Sequence, residues 1–349
     1  MRSLKRLLTQ QNVRSSAPCR IDSGGTWDIK ALALPLQGVE PTTINIALTL
    51  RTSVVLSPYR DGWIKISSRG FPRGEIFSKN QIPFNSSFGL FLAAISYFGF
   101  HGLDVQINSQ SPVKSALGGS STAMVALIKV LDKVSVRLGG KKLSKEKILH
   151  LAYHLEDGVS GGMCGLQDQA AAVYGGVHQW KWRYGNRTSP FEKIPLLDRT
   201  GQKKLSKRIL VAYSGKSHIS SRTNHNWIKG FLSSRTRSGW IKVNKIVHNL
   251  AQSIKENDWN QAAGQLQEEM ALRKKLTPEA LIPITEKLVE QARNAGCGAR
   301  FAGAGAGGSL WALGEIENIQ LLRTIWTKTM TQVKGARVLD CEVDPLGVE

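Results

Sequence analysis

The chain has 349 residues, 41% of them hydrophobic, which is enough to bury one large core or two ordinary ones and excludes a disordered or fibrous class. It carries 47 Lys and Arg against 26 Asp and Glu, and this net charge of +21 favours an anionic partner such as nucleic acid, a membrane surface or a phosphorylated small molecule. No run approaches the ~20 apolar residues of a membrane span. The four cysteines are widely spaced and in no paired metal-ligand pattern, so we expect free thiols and a cytoplasmic protein.

The first predicted element is a basic leader at residues 1–14, MRSLKRLLTQQNVR, whose longest apolar run is two residues. This excludes a signal-peptide core and predicts a frayed or surface helix. Strand-like runs, a buried apolar helix and another strand follow, at residues 43–48, 53–56 and 63–67, at 87–98, and at 104–107.

A glycine-rich turn, PVKSALGGSSTAM at residues 112–124, comes next and leads into a predicted helix at 122–137. A helix start of this kind offers an anion several unpaired backbone N–H groups and the positive end of the helix dipole. A plain N-cap formed by Ser120 or Ser121 is the alternative. The turn is not a Walker A loop, because GxxxxGK[ST] occurs nowhere in the chain.

Two acids flank a second glycine turn. A helix predicted at 144–156, with Ser144 as its N-cap, ends at Glu156, and Asp168 follows in GGMCGLQDQAAAVYGG. Two acids at this spacing are ordinarily exposed surface residues with no catalytic role. However, the stretch around Asp168 is poor in charge and should be largely buried, so its carboxylate needs a cation or a donor nearby. A metal-binding or catalytic role becomes reasonable.

The second half begins after a polar, Pro-broken segment at 180–207, where we place a domain boundary. A strand at 208–213 and three helices at 240–256, 259–275 and 279–295 are predicted there. The glycine run Gly303 to Gly308 matches GxGxxG, but a strand follows it and no acid lies about 20 residues further on, which excludes a dinucleotide site. Near the N-terminus, RIDSGGTWD could grip a polyhydroxyl ligand or merely pack Trp27.

Four segments, in this order, resemble the motifs of the galactokinase, homoserine kinase, mevalonate kinase and phosphomevalonate kinase superfamily (GHMP kinases). They are APCRIDSGGTWD, PVKSALGGSSTA, CGLQDQ and GARFAGAGAGGS. Within the superfamily, RIDSGGTWD, QDQ and VAYSGKSH are most similar to D-glycero-D-manno-heptose 7-phosphate kinases and L-fucose kinases. The resemblance implies an α+β GHMP kinase fold. Its parts would be an ATP-binding N-terminal domain like ribosomal protein S5 domain 2, residues 15–200, and a ferredoxin-like C-terminal domain, residues 201–349.

The resemblance further implies a kinase that uses ATP and Mg²⁺ to phosphorylate a sugar or sugar phosphate, most simply at the anomeric hydroxyl, giving a sugar 1-phosphate. By this resemblance, Asp168 would accept the hydroxyl proton, with Arg20 as its charge partner, and the phosphate loop would be Leu117, Gly118, Gly119, Ser120 and Ser121. Ser120 and Glu156 would bind the metal. The residues that bind the sugar or line its cleft would be Asp28, Asp22, Gly303 and Gly305. The run Gly303 to Gly308 would also brace the phosphate loop.

The sequence departs from the family pattern at Ala116, Gly119 and Ala306, which replace two glycines and a serine or threonine and predict a shifted loop. These departures keep open a sugar or nucleotide sensor without catalysis. The net charge keeps open a nucleic-acid-binding protein, although the basic residues are scattered and form no arginine-rich block with interleaved aromatics, which makes nucleic acid the less favoured partner. The sequence does not set the identity of the sugar or the oligomeric state.

Overall fold

The computed structural model describes residues 2–71, 73–186, 188–217 and 220–349. The first domain is built on a seven-stranded sheet. Its strands are β1 (Val13–Ser23), β2 (Thr42–Pro58), β3 (Trp63–Ser68), β4 (Glu75–Ser78), β5 (Leu103–Ser109), β6 (Val177–Trp182) and β7 (Phe191–Pro195). Its helices are α1 (Arg2–Gln10), α2 (Lys30–Ala33), α3 (Gly89–Tyr97), α4 (Gly119–Arg137), α5 (Lys145–Val159) and α6 (Gln167–Tyr174).

The second domain begins after α7 (Arg199–Ser206) and is built on a four-stranded sheet. Its strands are β8 (Ile209–Tyr213), β9 (Gly298–Phe301), β10 (Ser309–Leu313) and β11 (Arg337–Leu339). Its helices are α8 (Ser220–Leu232), α9 (Arg237–Glu256), α10 (Trp259–Leu276), α11 (Pro283–Asn294) and α12 (Ile316–Met330). The strand order β11-β8-β10-β9, antiparallel throughout and with helices after the first and third strands, is that of a ferredoxin-like unit.

Strand β2 is the axis of the first sheet. It is 17 residues long, and β6 pairs with its first half, β5 with its second half, and β1 with most of its length. In the second half Thr52, Val54 and Leu56 are buried in alternation, which places one face of the strand on the core. The two strands predicted at 43–48 and 53–56 are therefore one continuous strand.

Helices α4 and α5 cover the sheet and carry the first domain's main functional segments. Helix α4 buries Met124, Val125, Leu127 and Ile128 almost completely. Helix α5 begins where its sequence predicts, because the Ser144 hydroxyl accepts a hydrogen bond from the Lys147 backbone N–H. Helices α4 and α6 both contact β1.

The basic leader is not frayed. It forms helix α1, whose side chains Leu4 and Leu8 are buried against the core at 2% and 1% exposure. Leu4, Leu7 and Leu8 follow the spacing of one helical face and give the helix an apolar stripe, while Lys5 and Arg6 remain exposed.

The segment at 180–207 is also more ordered than its polar composition suggests, since it contains half of β6 and all of β7 and α7. The C-terminal residues also depart from a simple domain boundary at residue 200, because they contact the first domain. The backbones of Ser16 and Glu349 exchange two hydrogen bonds of 2.9 and 3.3 Å, and Arg51 pairs with Asp344, so the end of the chain returns to the first sheet.

Candidate active site

Arg20 and Asp168 form an ion pair at the centre of the candidate site. Arg20 lies on β1 and is 4% exposed, and its Nε and Nη2 atoms both lie 2.7 Å from Oδ1 of Asp168. Burial alone would lower the pKa of Arg20, but the carboxylates of Asp168 and Asp22 outweigh it and the pKa is raised. The guanidinium is therefore a permanent cation beside Asp168.

The same arginine holds the glycine-rich turn before α4. Its Nη1 donates to the carbonyl of Ala116 at 2.7 Å, and its backbone N–H donates to the carbonyl of Leu117 at 3.1 Å. Asp168 stands on the other side of this turn: a Cβ placed on Gly118 would lie 3.2 Å from Oδ2 of Asp168. One carboxylate oxygen is thus fixed by Arg20, while the other faces the turn, and the side chain is 25% exposed.

The start of α4 has the geometry of an anion site. Gly118 is its N-cap with φ of +73°, a left-handed conformation that suits glycine. In the described part of the chain, the backbone N–H groups of Gly119, Ser120 and Ser121 donate to no carbonyl, as expected for a first helical turn. These donors and the positive end of the helix dipole follow directly on Gly118, where an added Cβ would approach Asp168.

Ala116 departs from the family pattern without giving up the left-handed turn. Its φ is +62°, a conformation that costs an L-residue with a Cβ about 1–2 kcal/mol. The glycine run after β9 packs directly on it, since Cβ atoms built on Gly303 and Gly308 would lie 3.1 Å from the Ala116 carbonyl oxygen and 2.8 Å from its Cβ, respectively. The glycine run of the second domain therefore packs against Ala116 and helps to hold the strained conformation of the turn.

Glu156 lies at the end of α5, near the start of α4. It accepts a 2.6 Å hydrogen bond from Nε2 of Gln169. Burial raises the pKa of Glu156 to about 7; a hydrogen bond with the Ser121 hydroxyl opposes this, and the nearby Asp168 carboxylate reinforces it. The serine beside Glu156 is thus Ser121, which is 5% exposed, whereas Ser120, expected to be the partner, is exposed to solvent.

The oxygen atoms around Glu156 can supply part of the ligand set of Mg²⁺. Mg²⁺ prefers oxygen ligands and commonly uses one or two carboxylates together with the phosphates of a substrate. Glu156, Ser121 and the nearby Asp168 provide such oxygens. Within the described ranges no group of three or more His, Cys, Asp or Glu side chains could hold a metal alone, so a cation here would depend on phosphate ligands as well.

Asp28 does not face the site as a free sugar ligand. It is 2% exposed, and its Oδ2 accepts the Gln167 backbone N–H at 3.0 Å, while its Oδ1 accepts from Gln167 Nε2 at 3.2 Å. Burial raises its pKa to about 8, the backbone hydrogen bond from Gln167 opposes this, and Asp168 adds to it. Because Gln167 is the first residue of α6, Asp28 fixes the helix turn that presents Asp168.

Asp22 is likewise engaged by the protein. Its side chain is fully buried, with Oδ1 2.7 Å from the Gly303 backbone N and 3.3 Å from Nη1 of Arg20, and Oδ2 3.2 Å from Nη1 of Arg300. Burial acts to raise its pKa, but the two arginines and the Gly303 N–H prevail and the pKa is lowered. Asp22 joins the two domains, and its expected contact with a sugar is not supported by this geometry.

The two glycines expected to line the sugar cleft lie in different places. Gly303 is near the ion pair, since a Cβ on it would lie 3.5 Å from Nη2 of Arg20. A Cβ on Gly305 would instead lie 2.5 Å from the carbonyl oxygen of Ala280, so Gly305 packs against the second domain's own backbone.

Three residues in the site were given no role from sequence: Gln167, Gln169 and Arg300. Gln167 and Gln169 flank Asp168 within the QDQ segment, and polar residues in a stretch that was expected to be buried were the available signal. Arg300 stands in the third motif, GARFAG, where a charged residue in an otherwise apolar strand could have been singled out in the same way.

Comparisons with known proteins find one family model and several relatives. Residues 86–176, which contain the turn, Glu156 and Asp168, match the family model described as the GHMP kinases N terminal domain. The mevalonate kinase of Pyrococcus horikoshii is 29% identical over 295 residues, covering 77% of this chain and 81% of that protein.

Among solved structures, the mevalonate kinase of Methanococcus jannaschii is similar with a TM-score of 0.72 and 17% identity, covering 96% of this chain and 99% of that one. A D-glycero-D-manno-heptose 1-phosphate kinase from Bacteroides thetaiotaomicron has a TM-score of 0.70 and 17% identity, covering 97% and 98%. Mevalonate kinases therefore match in both sequence and fold, whereas the heptose kinase is similar in fold only.

The chain has the GHMP kinase fold, and these matches support its place in the GHMP kinase superfamily. It is an ATP-dependent small-molecule kinase, a phosphotransferase with an alcohol group as acceptor. In the described part of the chain no helix is long and apolar enough to cross a membrane.

Proposed function

We propose that this protein transfers the terminal phosphoryl group of ATP to a hydroxyl of a small polar molecule in the cleft between β1, the start of α4 and α6. The observation that carries the proposal is the position of Asp168. One of its oxygens is held by Arg20, and the other faces Gly118 at the start of α4, where phosphates would bind. A carboxylate that can accept the proton of a hydroxyl group therefore lies beside a site that can bind phosphates.

In the proposed reaction, the acceptor oxygen forms a bond to the terminal phosphorus while the bond from that phosphorus to the departing ADP oxygen breaks. Asp168 accepts the hydroxyl proton through its free oxygen. Arg20 holds Asp168 in place and stabilises negative charge on the transferring group. The N–H groups of Gly119, Ser120 and Ser121 bind the phosphates, together with the Leu117 and Gly118 backbone.

Magnesium is part of this proposal. Glu156 and Ser121 would hold the ion against the phosphates, and it would neutralise part of their charge when bound. The first domain, residues 15–200, would bind the nucleotide, and the glycine run of the second domain, residues 201–349, would close the cleft. We propose a cytoplasmic location, where ATP and Mg²⁺ are available.

Two acceptors are candidates. The motif RIDSGGTWD favours a sugar or sugar phosphate of the heptose or fucose type, phosphorylated at the anomeric hydroxyl. The sequence relatives named as mevalonate kinases favour mevalonate. The carboxylates of Asp22 and Asp28, which were expected to bind sugar hydroxyls, already have partners within the protein, and this supports the second candidate.

The test is ADP release by the full chain with ATP and Mg²⁺ across a panel of acceptors. The panel contains mevalonate, phosphomevalonate, fucose, galactose, mannose and heptose 7-phosphate. We expect turnover on one chemical class, dependent on Mg²⁺. Silence across the panel with ATP still bound would contradict the proposed acceptors and return weight to a sensor without catalysis.

A further inference from the structure

A second buried arginine lies close to the ion pair and lacks partners for most of its donors. Arg273, on α10, is completely buried, and its Nε donates to the Thr277 hydroxyl at 3.4 Å. Its Nη1 and Nη2 atoms have no acceptor in the described part of the chain. Arg300, on β9, has the same deficiency at Nε and Nη2, although its Nη1 donates to Asp22.

The two arginines both lie against the ring of Phe301. The Cζ atoms of Arg273 and Arg300 lie 5.1 and 5.0 Å from the ring centroid of Phe301. Burial and, to a smaller extent, the charge of Arg300 lower the pKa of Arg273 to about 9, although nearby carboxylates such as Glu269 oppose this shift. Glu269 offsets part of this charge, since its Oε1 lies 3.5 Å from Nη1 of Arg300.

Buried donors without acceptors are costly, and nearly all of them find a partner in native proteins. Arg273 and Arg300 together have four nitrogen donors without an acceptor in the described part of the chain. An anion with several acceptor oxygens would satisfy these donors and offset the two positive charges. Carboxylates and phosphates meet this need, because a guanidinium binds either of them with two parallel hydrogen bonds.

The surroundings of Arg273 would strengthen such an interaction. Its Cζ lies 4.4 Å from the ring centroids of both Trp227 and Trp240, so that aromatic walls on α8 and α9 flank the guanidinium. The rings exclude water while leaving the in-plane N–H groups free. Nη1 packs directly under Gly25 in the RIDSGGTWD segment, where a Cβ would overlap it.

The arginine pair is also connected to the candidate active site by short contacts. Asp22 lies 3.3 Å from Arg20 on one side and 3.2 Å from Arg300 on the other. In addition, the carbonyl of Gly25 accepts a 3.0 Å hydrogen bond from Gln167, the neighbour of Asp168. A small molecule with a hydroxyl at one end and an anion at the other matches this arrangement.

We propose that Arg273, with Arg300 beside it, binds a carboxylate or phosphate carried by the acceptor alcohol. The inference rests on the proposed function, and it narrows the acceptor to an acidic alcohol.

The experiment compares acidic acceptors with neutral ones that keep the same hydroxyls. The pairs are mevalonate with mevalonamide, and mannose 6-phosphate with mannose. Binding is measured by calorimetry without ATP, and turnover by ADP release. The wild-type chain should bind one acidic member at least about 10-fold more tightly than its neutral partner, because charge-assisted hydrogen bonds are lost in the neutral one. The member bound identifies a carboxylate or a phosphate as the anion.

The variant Arg273→Gln should reduce this preference to within about 3-fold, mainly by raising the KM of the acidic member. Arg273→Lys keeps the charge without the fork and should retain only part of the preference. Arg235→Gln, at an exposed arginine just after α8, is the matched control. Thermal melts establish that each variant is folded.

The outcomes separate the two claims. Equal binding of acidic and neutral members by the wild-type chain, or an unchanged preference in folded Arg273→Gln, would overturn the inference while leaving a kinase in place. Binding of the acid through Arg273 without any phosphate transfer would keep the inference and overturn the proposed function. If Arg273→Gln does not fold, the wild-type comparison and Arg273→Lys still decide the matter.

Discussion

Two nitrogens of Arg20, Nε and Nη2, both contact a single oxygen of Asp168, each at 2.7 Å. Its third nitrogen holds the carbonyl of Ala116 at 2.7 Å. One side chain therefore fixes both the acceptor carboxylate and the turn that leads into α4. It also leaves the second oxygen of Asp168 free toward Gly118.

Replacing Arg20 by lysine should lower kcat by about 100-fold, because a single ammonium cannot reproduce a planar fork that spans Asp168 and Ala116. Steady-state kinetics and an ATP-binding titration would separate this loss from a loss of nucleotide affinity. Arg14→Lys, at an exposed arginine on the same strand, should behave as the wild type. An Arg20→Lys variant with unchanged kcat would contradict the role of the fork.

Ser121, rather than Ser120, should influence the requirement for Mg²⁺. The Ser121 hydroxyl lies against Glu156, while Ser120 is exposed one helical position earlier. We expect Ser121→Ala to raise the Mg²⁺ concentration for half-maximal activity by about 10-fold, the loss of one hydrogen-bonding oxygen at a charged site. Ser120→Ala should change it by less than about 2-fold. The reverse ranking would restore the assignment made from the family motif.

The pH dependence of Mg²⁺ binding should follow Glu156. Its pKa of about 7 lies above the ordinary value of 4.5, so the folded protein favours the protonated form, and the stability this provides is full below pH 4.5 and lost as pH rises through 7. Mg²⁺ needs the ionised carboxylate, so its affinity should rise with pH, by up to about tenfold per unit below pH 7.

Calorimetry at pH 6 and pH 8 in buffers of different ionisation enthalpy would measure that affinity and the protons released. In the absence of Mg²⁺, Glu156→Gln should remove the part of the stability loss between pH 6 and 8 that comes from this group. A Mg²⁺ affinity that does not change across this range would show that Glu156 is not the ligand.

Gly118 and Gly139 allow a control for backbone strain. Both have positive φ, +73° and +95°, and alanine at either costs about 1–2 kcal/mol of stability. Only at Gly118 would the added methyl group contact Asp168, at 3.2 Å from Oδ2; at Gly139 nothing lies within 4 Å. Gly118→Ala should therefore lower kcat by at least about 100-fold, while Gly139→Ala keeps it. Equal loss in both variants would mean that strain alone is responsible.

Local sequence signals predicted the elements that carry the site. The apolar period of α4, the Ser144 cap of α5 and the glycine turn before α4 all act within a few residues, and the structure has each of them. For the leader, the sequence predicts a frayed or surface helix. The burial of Leu4 and Leu8 was not predicted, because three leucines in nine residues give too short a period to separate a packed helix from a frayed one.

The roles of Asp22 and Asp28 depend on partners far away in the chain. Arg300 is 278 residues from Asp22, and Gln167 is 139 residues from Asp28. No local pattern indicates such partners, so both acids were interpreted as free ligands. The sequence assigned the metal-binding role to Ser120, whereas the structure places Ser121 beside Glu156. Neighbouring helical residues differ by about 100° in direction, and a motif does not fix the rotation of the helix.

The most direct test of the central claim is turnover by Asp168→Asn, measured as ADP release with the acceptor that the panel identifies. The amide keeps the shape and a hydrogen bond with Arg20 but cannot accept the hydroxyl proton, so we predict a fall in kcat of about 100-fold to 10,000-fold. The thermal melt and ATP affinity should stay close to wild type, and Asp198→Asn, at the cap of α7, should keep full activity. A folded Asp168→Asn protein with wild-type kcat would contradict the assignment of Asp168.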